Sequence, residues 1–245
     1  KYLKDRGYAF ENRLNENTNY ILDKKLIDYD QAEFDSQIPM MILGPTISLD
    51  GRKLYISPQP VSYMNINSDE KNGSIESITS GIDFLQFFKD QKAENLKILT
   101  ALRMNASFPY VTPNLRLPSE PAIEVMDAGI ADNFGISDAL IFIYNFKDWI
   151  SDNTSGVILL SIRDTRKNEP IQEESQLSIL ERISEPISSV YNNLSHYQDI
   201  NNDYKITFAN EWFDGEIDLV KLEYDTQSIF DETKFQSKSE EVWRN

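Results

Sequence analysis

The chain has 245 residues, with 40 acidic and 24 basic side chains, a net charge of −16, 40% hydrophobic residues and a mean hydropathy of −0.47. That length suits one large domain with a real core, and the charge excludes nucleic acid as a partner and a purely electrostatic membrane anchor, because a surface of this sign repels phosphate within a Debye length of about 8 Å. The sequence holds no cysteine and a single histidine, His196, which removes disulfides, thiolate metal sites, cysteine nucleophiles and any multi-His metal site; no metal and no cofactor are called for.

Residues 1–37 are polar, with scattered Tyr8, Phe10, Leu14, Ile21, Leu22 and Leu26, a spacing that predicts one or two loosely amphipathic helices. Ile38 to Leu49 is an apolar run of the buried-strand kind; Asp50-Gly51 then reads as a two-residue hairpin turn, and Lys53 to Ser57 as the returning strand. A polar loop is predicted from Asn65 to Ser77. Helical periodicity follows at Ile78, Ile82, Leu85 and Phe88, and again at Leu96, Leu99, Leu102 and Phe108. Thr112 to Pro121, with Pro113, Pro118 and Pro121, is read as irregular.

Ala122 to Met126 reads as a short strand, and Gly135 to Ile150 as a helix so apolar all round that it should be buried against a sheet. Gly156 to Ile162 has the character of an interior parallel strand, expected to lie beside the 122–126 strand through a right-handed crossover. Glu174 to Leu194 is predicted as an amphipathic helix interrupted at Pro186, and Asp218 to Tyr224 as an edge strand. Strands alternating with buried helices give an α/β fold. The parts are a polar helical lead-in over 1–37, an α/β core over 38–225 and a polar tail over 226–245.

The chemistry concentrates between Ala101 and Gly135. An apolar strand there delivers Asp127 onto a turn made by Ala128 and Gly129, with Asn133 placed to tie the turn to the next helix. An isolated Asp after a strand is most often a cap or turn residue, yet a strand end that presents a carboxylate on a Gly-containing turn also suits a general base. Asn105 and Ser107 sit at the mouth of the same region, with packing rather than nucleophilic roles. Phe84, Phe87, Phe88, Phe108, Tyr110 and the Met40-Met41 pair are read as core residues first and as an acyl-chain lining second. Asp199, Asn201 and Asp203 alternate as in a calcium loop, but Tyr204 stands where the motif needs Gly and Asn210 where it needs Glu, so a polar loop is expected. His196 is expected in a loop or on the surface.

Asp127-Ala128-Gly129, with Asn133 after it and Ala106-Ser107-Phe108-Pro109 before it, resembles the aspartate half of the active site of the patatin-like phospholipases. Ala128 stands where that family usually has Gly. The resemblance implies a three-layer α/β/α hydrolase in which Asp127 is general base to a serine with no intervening imidazole, supported by Ala128, Gly129 and Asn133. The nucleophile half is absent, since no Gly-x-Ser-x-Gly occurs. The sequence therefore reads as the C-terminal part of a catalytic domain whose N-terminal part carries the serine, beginning as it does at Lys1 without Met, and this chain alone should not turn over ester.

The implied activity is lipid acyl hydrolysis of phospholipid or neutral acyl esters. The implied partners are that substrate, the missing N-terminal part of the same protein and a membrane surface, with a cytoplasmic or membrane-associated location rather than a secreted one. The rival reading is a non-catalytic binding or assembly module that keeps the fold.

Overall fold

A computed structural model describes residues 5–65, 80–107, 113–163 and 179–223, with 179–192 as backbone only. The chain divides into two compact units, Lys1–Asn133 and Phe134–Asn245. No run of Pro, Gly or Ser marks this division, and the sequence reading treats 1–245 as part of one domain.

The first unit opens with helix α1 (Arg6–Asn17), capped by Asp5, whose Oδ1 accepts the Tyr8 N–H at 2.9 Å, and α2 (Ile27–Phe34). Strands β1 (Thr46–Ile47) and β2 (Lys53–Tyr55) form the expected antiparallel hairpin, extended by a bridge between Leu43 and Ile56. Its loop is longer than the two residues that Asp50-Gly51 suggests. The Ile47 N–H donates to the Arg52 carbonyl at 2.7 Å and the Gly51 N–H returns to the Ile47 carbonyl at 2.9 Å, so Ser48 to Gly51 make the turn. Gly51 closes it at φ +75°, a conformation costly for any side chain with a Cβ.

Strand β3 (Gly81–Asp83) and the single turn of α3 (Phe84–Phe87) replace the helix predicted from Ile78 to Phe88. Asp83 is the reason for the junction. Its Oδ1 caps α3 through the Gln86 N–H at 3.2 Å, while Oδ2 holds the Val61 N–H at 2.9 Å and the Ser62 hydroxyl at 2.7 Å. A residue bonded this way marks a helix start rather than a helix interior. Ile78 itself, the rest of the loop predicted after Asn65, and Phe108 to Thr112 lie outside the described residues.

Helix α4 (Ile98–Asn105) forms as its Leu99 and Leu102 spacing predicts. Strand β4 (Leu115–Arg116) corrects the irregular reading of the Pro-rich segment: two residues between Pro113 and Pro118 pair with β5 (Glu124–Met126) at the sheet edge, where prolines are tolerated. A short helix α5 (Gly129–Asp132) follows. The sheet order is β3-β2-β1-β5-β4, with β2 parallel to β3 and the other pairs antiparallel. Leu26, Leu54, Ile56, Phe88, Ala101 and Val125 form its core. Phe84 joins them, whereas Phe87 and Met40 are exposed and depart from the core reading.

In the second unit, α6 (Ile136–Asn153) leads to β6 (Gly156–Arg163), then α7 (Ile179–Trp212) and β7 (Glu216–Glu223). Strands β6 and β7 are parallel and paired over their whole length. Gly156, at φ +147°, lets the strands approach closely, since a Cβ there would lie 2.6 Å from the Glu216 carbonyl oxygen. Ile136, Leu140, Ile143 and Ile150 of α6 pack with Ala209, Phe213 and Ile217.

The helix is not buried all round as its composition suggests, because Tyr144 and Trp149 face solvent. Nor is β6 beside β5. Both edges of β5 are taken by β1 and β4, and among the described residues β6 pairs with β7 alone. Helix α7 runs unbroken through Pro186 and the 199–203 segment, overturning the interruption and the polar-loop expectation, and His196 lies on it with its side chain exposed, as the surface reading expects. The architecture is mixed α/β, with a mixed sheet in one unit and a parallel pair in the other. Among the described residues no helix is long and apolar enough to cross a membrane.

Candidate active site

Asp127 follows β5 directly, and three hydrogen bonds to other elements fix its backbone turn. Its own N–H donates to the Ser107 carbonyl at 2.8 Å and the Ala128 N–H to the Asn105 carbonyl at 3.1 Å, so the C-terminal end of α4 is tied to the turn. The Thr46 hydroxyl of β1 donates to the Asp127 carbonyl at 2.9 Å, and Asn105 Oδ1 accepts the Gly44 N–H at 3.0 Å. Thr46 pairs with Met126 in the sheet, which is what brings its hydroxyl to the residue beyond.

The side chain is held at one oxygen. Asp127 Oδ1 accepts the Gly129 N–H at 2.7 Å, the geometry that starts α5, and the second oxygen takes no hydrogen bond from any described residue. The carboxyl is half-buried, and desolvation pushes its pKa up from the ordinary aspartate value, opposed in part by the Gly129 N–H, which favours the charged form. A carboxylate with one oxygen anchored, one oxygen open and a raised affinity for protons has the properties of a general base.

Ser107 is not a replacement nucleophile. It is fully buried, its hydroxyl donates to the Arg103 carbonyl at 2.6 Å, and its contribution to the site is its backbone carbonyl. Ala128 and Gly129 sit where the sequence reading places them, at the start of α5, and Asn133 ends α5 in helical conformation at φ −58° and ψ −32°.

Asp132 departs from expectation. Its place early in a helix predicts an outward-facing side chain, but it is buried and its Oδ2 lies 3.2 Å from Lys53 Nζ. This ion pair joins α5 to β2 and fixes the far end of the Asp127 turn. A lysine inside the otherwise apolar Lys53 to Ser57 strand was the available signal, since a charge there needs a partner.

The calcium-loop residues are also resolved by their surroundings. Asp199 and Asp203 lie one helical turn apart on α7, and Asp199 receives both terminal nitrogens of Arg163 at 2.6 and 2.8 Å. Among the described residues no cluster of three or more His, Asp or Glu is placed to hold a metal ion. Comparison of the chain with protein-family models, with curated proteins and with solved structures gives no match.

Proposed function

We propose that Asp127 is the general base of a patatin-like lipid acyl hydrolase, a three-layer α/β/α enzyme working by a Ser–Asp dyad with the serine outside this sequence. The observation that carries the reading is the state of the carboxyl group: one oxygen fixed by the Gly129 N–H, the other without a hydrogen bond from any described residue, and burial that raises its affinity for a proton. In that role Asp127 takes the serine proton as the serine oxygen attacks the ester carbonyl. The leaving alcohol then takes up the proton as the acyl-serine forms. Water repeats the sequence to release the fatty acid. Ala128, Gly129 and Asn133 keep the turn in place, and the substrates are phospholipids or neutral acyl esters met in the cytoplasm or at a membrane surface.

The test is a longer protein that includes an upstream Gly-x-Ser-x-Gly, assayed on a short-chain acyl ester. Asp127→Asn should lower turnover by roughly 10²–10⁴-fold with the fold retained, because the amide cannot accept the serine proton. Asp132 is unsuitable as a control, given its buried partner; the exposed Asp90 serves instead, and Asp90→Asn should keep wild-type activity. Wild-type turnover in Asp127→Asn would refute the assignment.

A second reading, a non-catalytic binding or assembly module, draws support from the bare apolar face of the β6–β7 sheet, where Ile158, Leu160, Ile162, Val220 and Leu222 are exposed. Natural full-length sequences in which the elbow serine is missing or replaced would favour it.

A further inference from the structure

We propose that Thr46 and Lys53, a cross-strand pair of the β1–β2 hairpin, grip the Asp127 turn at both ends and so position its carboxylate, a role that rests on the reading of Asp127 as general base. Thr46 and Lys53 are Cα partners in the antiparallel ladder, and on its other side Thr46 is the partner of Met126. Directly opposite residues of an antiparallel pair project from the same face. Both side chains therefore leave the sheet on one face, beside the residue that precedes Asp127.

The two reach different ends of one turn. The Thr46 hydroxyl donates to the Asp127 carbonyl at 2.9 Å, where the Ile130 N–H adds a longer bond at 3.4 Å. Lys53 Nζ lies 3.2 Å from Asp132 Oδ2, at the end of the single helical turn that Gly129 begins. Between these anchors sits the Gly129 N–H, which holds Asp127 Oδ1 at 2.7 Å. Both supports are withdrawn from water: Thr46 is fully buried, and the side chains of Lys53 and Asp132 are 10% and 1% exposed. A buried hydroxyl must find an acceptor and a buried ammonium an anion. Apolar β-branched residues at both positions would build the same hairpin without burying any polar group. What Thr46 and Lys53 add is the grip on residues 127–132.

That grip controls the place of one backbone donor. If the turn relaxes at either end, the Gly129 N–H moves off Oδ1. Asp127 then loses the bond that orients its carboxylate and the contact that opposes the effect of its burial. Misplacing a catalytic group by about 1 Å costs on the order of 10²-fold in rate. Thr46 and Lys53 touch no substrate in this role and act through Asp127.

A titration and a rate together test the assignment. In this chain, carbon-13 magnetic resonance of labelled aspartate follows the Asp127 carboxyl, identified by its loss in Asp127→Asn. Thr46→Val, which keeps the branched shape and removes the hydroxyl, should raise the Asp127 pKa, and Thr46→Ser should restore it. Lys53→Met combined with Asp132→Leu removes the buried charges together and strands neither; it should raise the pKa as well. The two variants act at opposite ends of the turn, so either one decides if the other does not fold. In the longer protein that carries the serine, Thr46→Val should lower kcat by roughly ten- to hundredfold with KM little changed, and should move the acidic limb of the pH–rate profile upward. A merely structural role would lower the Tm of Thr46→Val and leave the titration in place. That result, or no recovery in Thr46→Ser, would overturn the proposal. A titration that moves while the pH–rate profile stays fixed would uphold the grip and remove Asp127 from the catalytic step.

Discussion

The two sheets solve burial in opposite ways. In the first unit the strands are two or three residues long, yet every residue of β1 and β2 is buried, Lys53 included. In the second, β6 and β7 run for eight residues each and the face opposite the helices has no cover among the described residues, with Ile158 72% and Ile162 74% exposed. Strand length and apolar content therefore do not measure burial; cover by a second layer does. The anomalies of the two units follow suit. One carries a charge inside and must pair it with Asp132, while the other carries aliphatic side chains outside that lack cover among the described residues.

The largest effect should come from the buried charge that the second unit does hold. Arg163→Met leaves Asp199 buried without its partner, a loss of about 3–5 kcal/mol. Trp149, Trp212 and Trp243 all lie in Phe134–Asn245, so tryptophan fluorescence during urea unfolding reads that unit selectively. A change under about 1 kcal/mol, the range of surface pairs, would mean that the pair is solvated.

The next pair of variants tests the comparison directly. Leu54→Ala, in the fully covered sheet, should cost about 2–5 kcal/mol, whereas Ile158→Thr, on the bare face, should stay within about 0.5 kcal/mol. Equal costs in circular dichroism melts would show that the 158–162 face is covered in solution.

The smallest effect concerns Asp127. Its pKa is raised in the folded state by burial, so the native chain holds the proton more tightly than the unfolded one. Stability from this group is greatest below the unfolded carboxylate value of about 4 and is lost as pH rises through the folded value. Asp127→Asn removes that dependence. The variant should melt above wild type at neutral pH and lose its advantage at about pH 3. A variant less stable than wild type at neutral pH would contradict the desolvated setting.

Local pattern made much of this molecule legible: α1, α2, the β1–β2 hairpin, α4, β5, α6 and both long strands follow from spacing and turn residues. What stayed hidden depends on partners far along the chain. Ile82, Leu85 and Phe88 fit a helical period, and only the bonds of Asp83 to Val61 and Ser62 reveal that the helix starts after it. Asp199 looks like a loop residue because Arg163, which justifies a buried aspartate, is 36 positions away. The position of β6 is hidden for the same reason, since an apolar strand does not say which strand it pairs with. At the candidate site, Asp127, Ala128 and Gly129 were readable as a strand-end turn. The grip of Thr46 and of the Asn105 and Ser107 carbonyls was not, because backbone acceptors leave no mark on side-chain identity.

The register of the parallel pair has a kinetic consequence. Every rung from Gly156↔Glu216 to Arg163↔Glu223 joins residues 60 positions apart, so none of the ladder can form locally. The first rung bears the whole loop-closure entropy, and the other seven then add at little further cost. Helix α7, 34 residues long, is the one element among the described residues of that interval, and it is able to form early and shorten the search. In Phe134–Asn245, α6 and α7 should therefore gain structure first, and β6 and β7 should zip together late, in a single step.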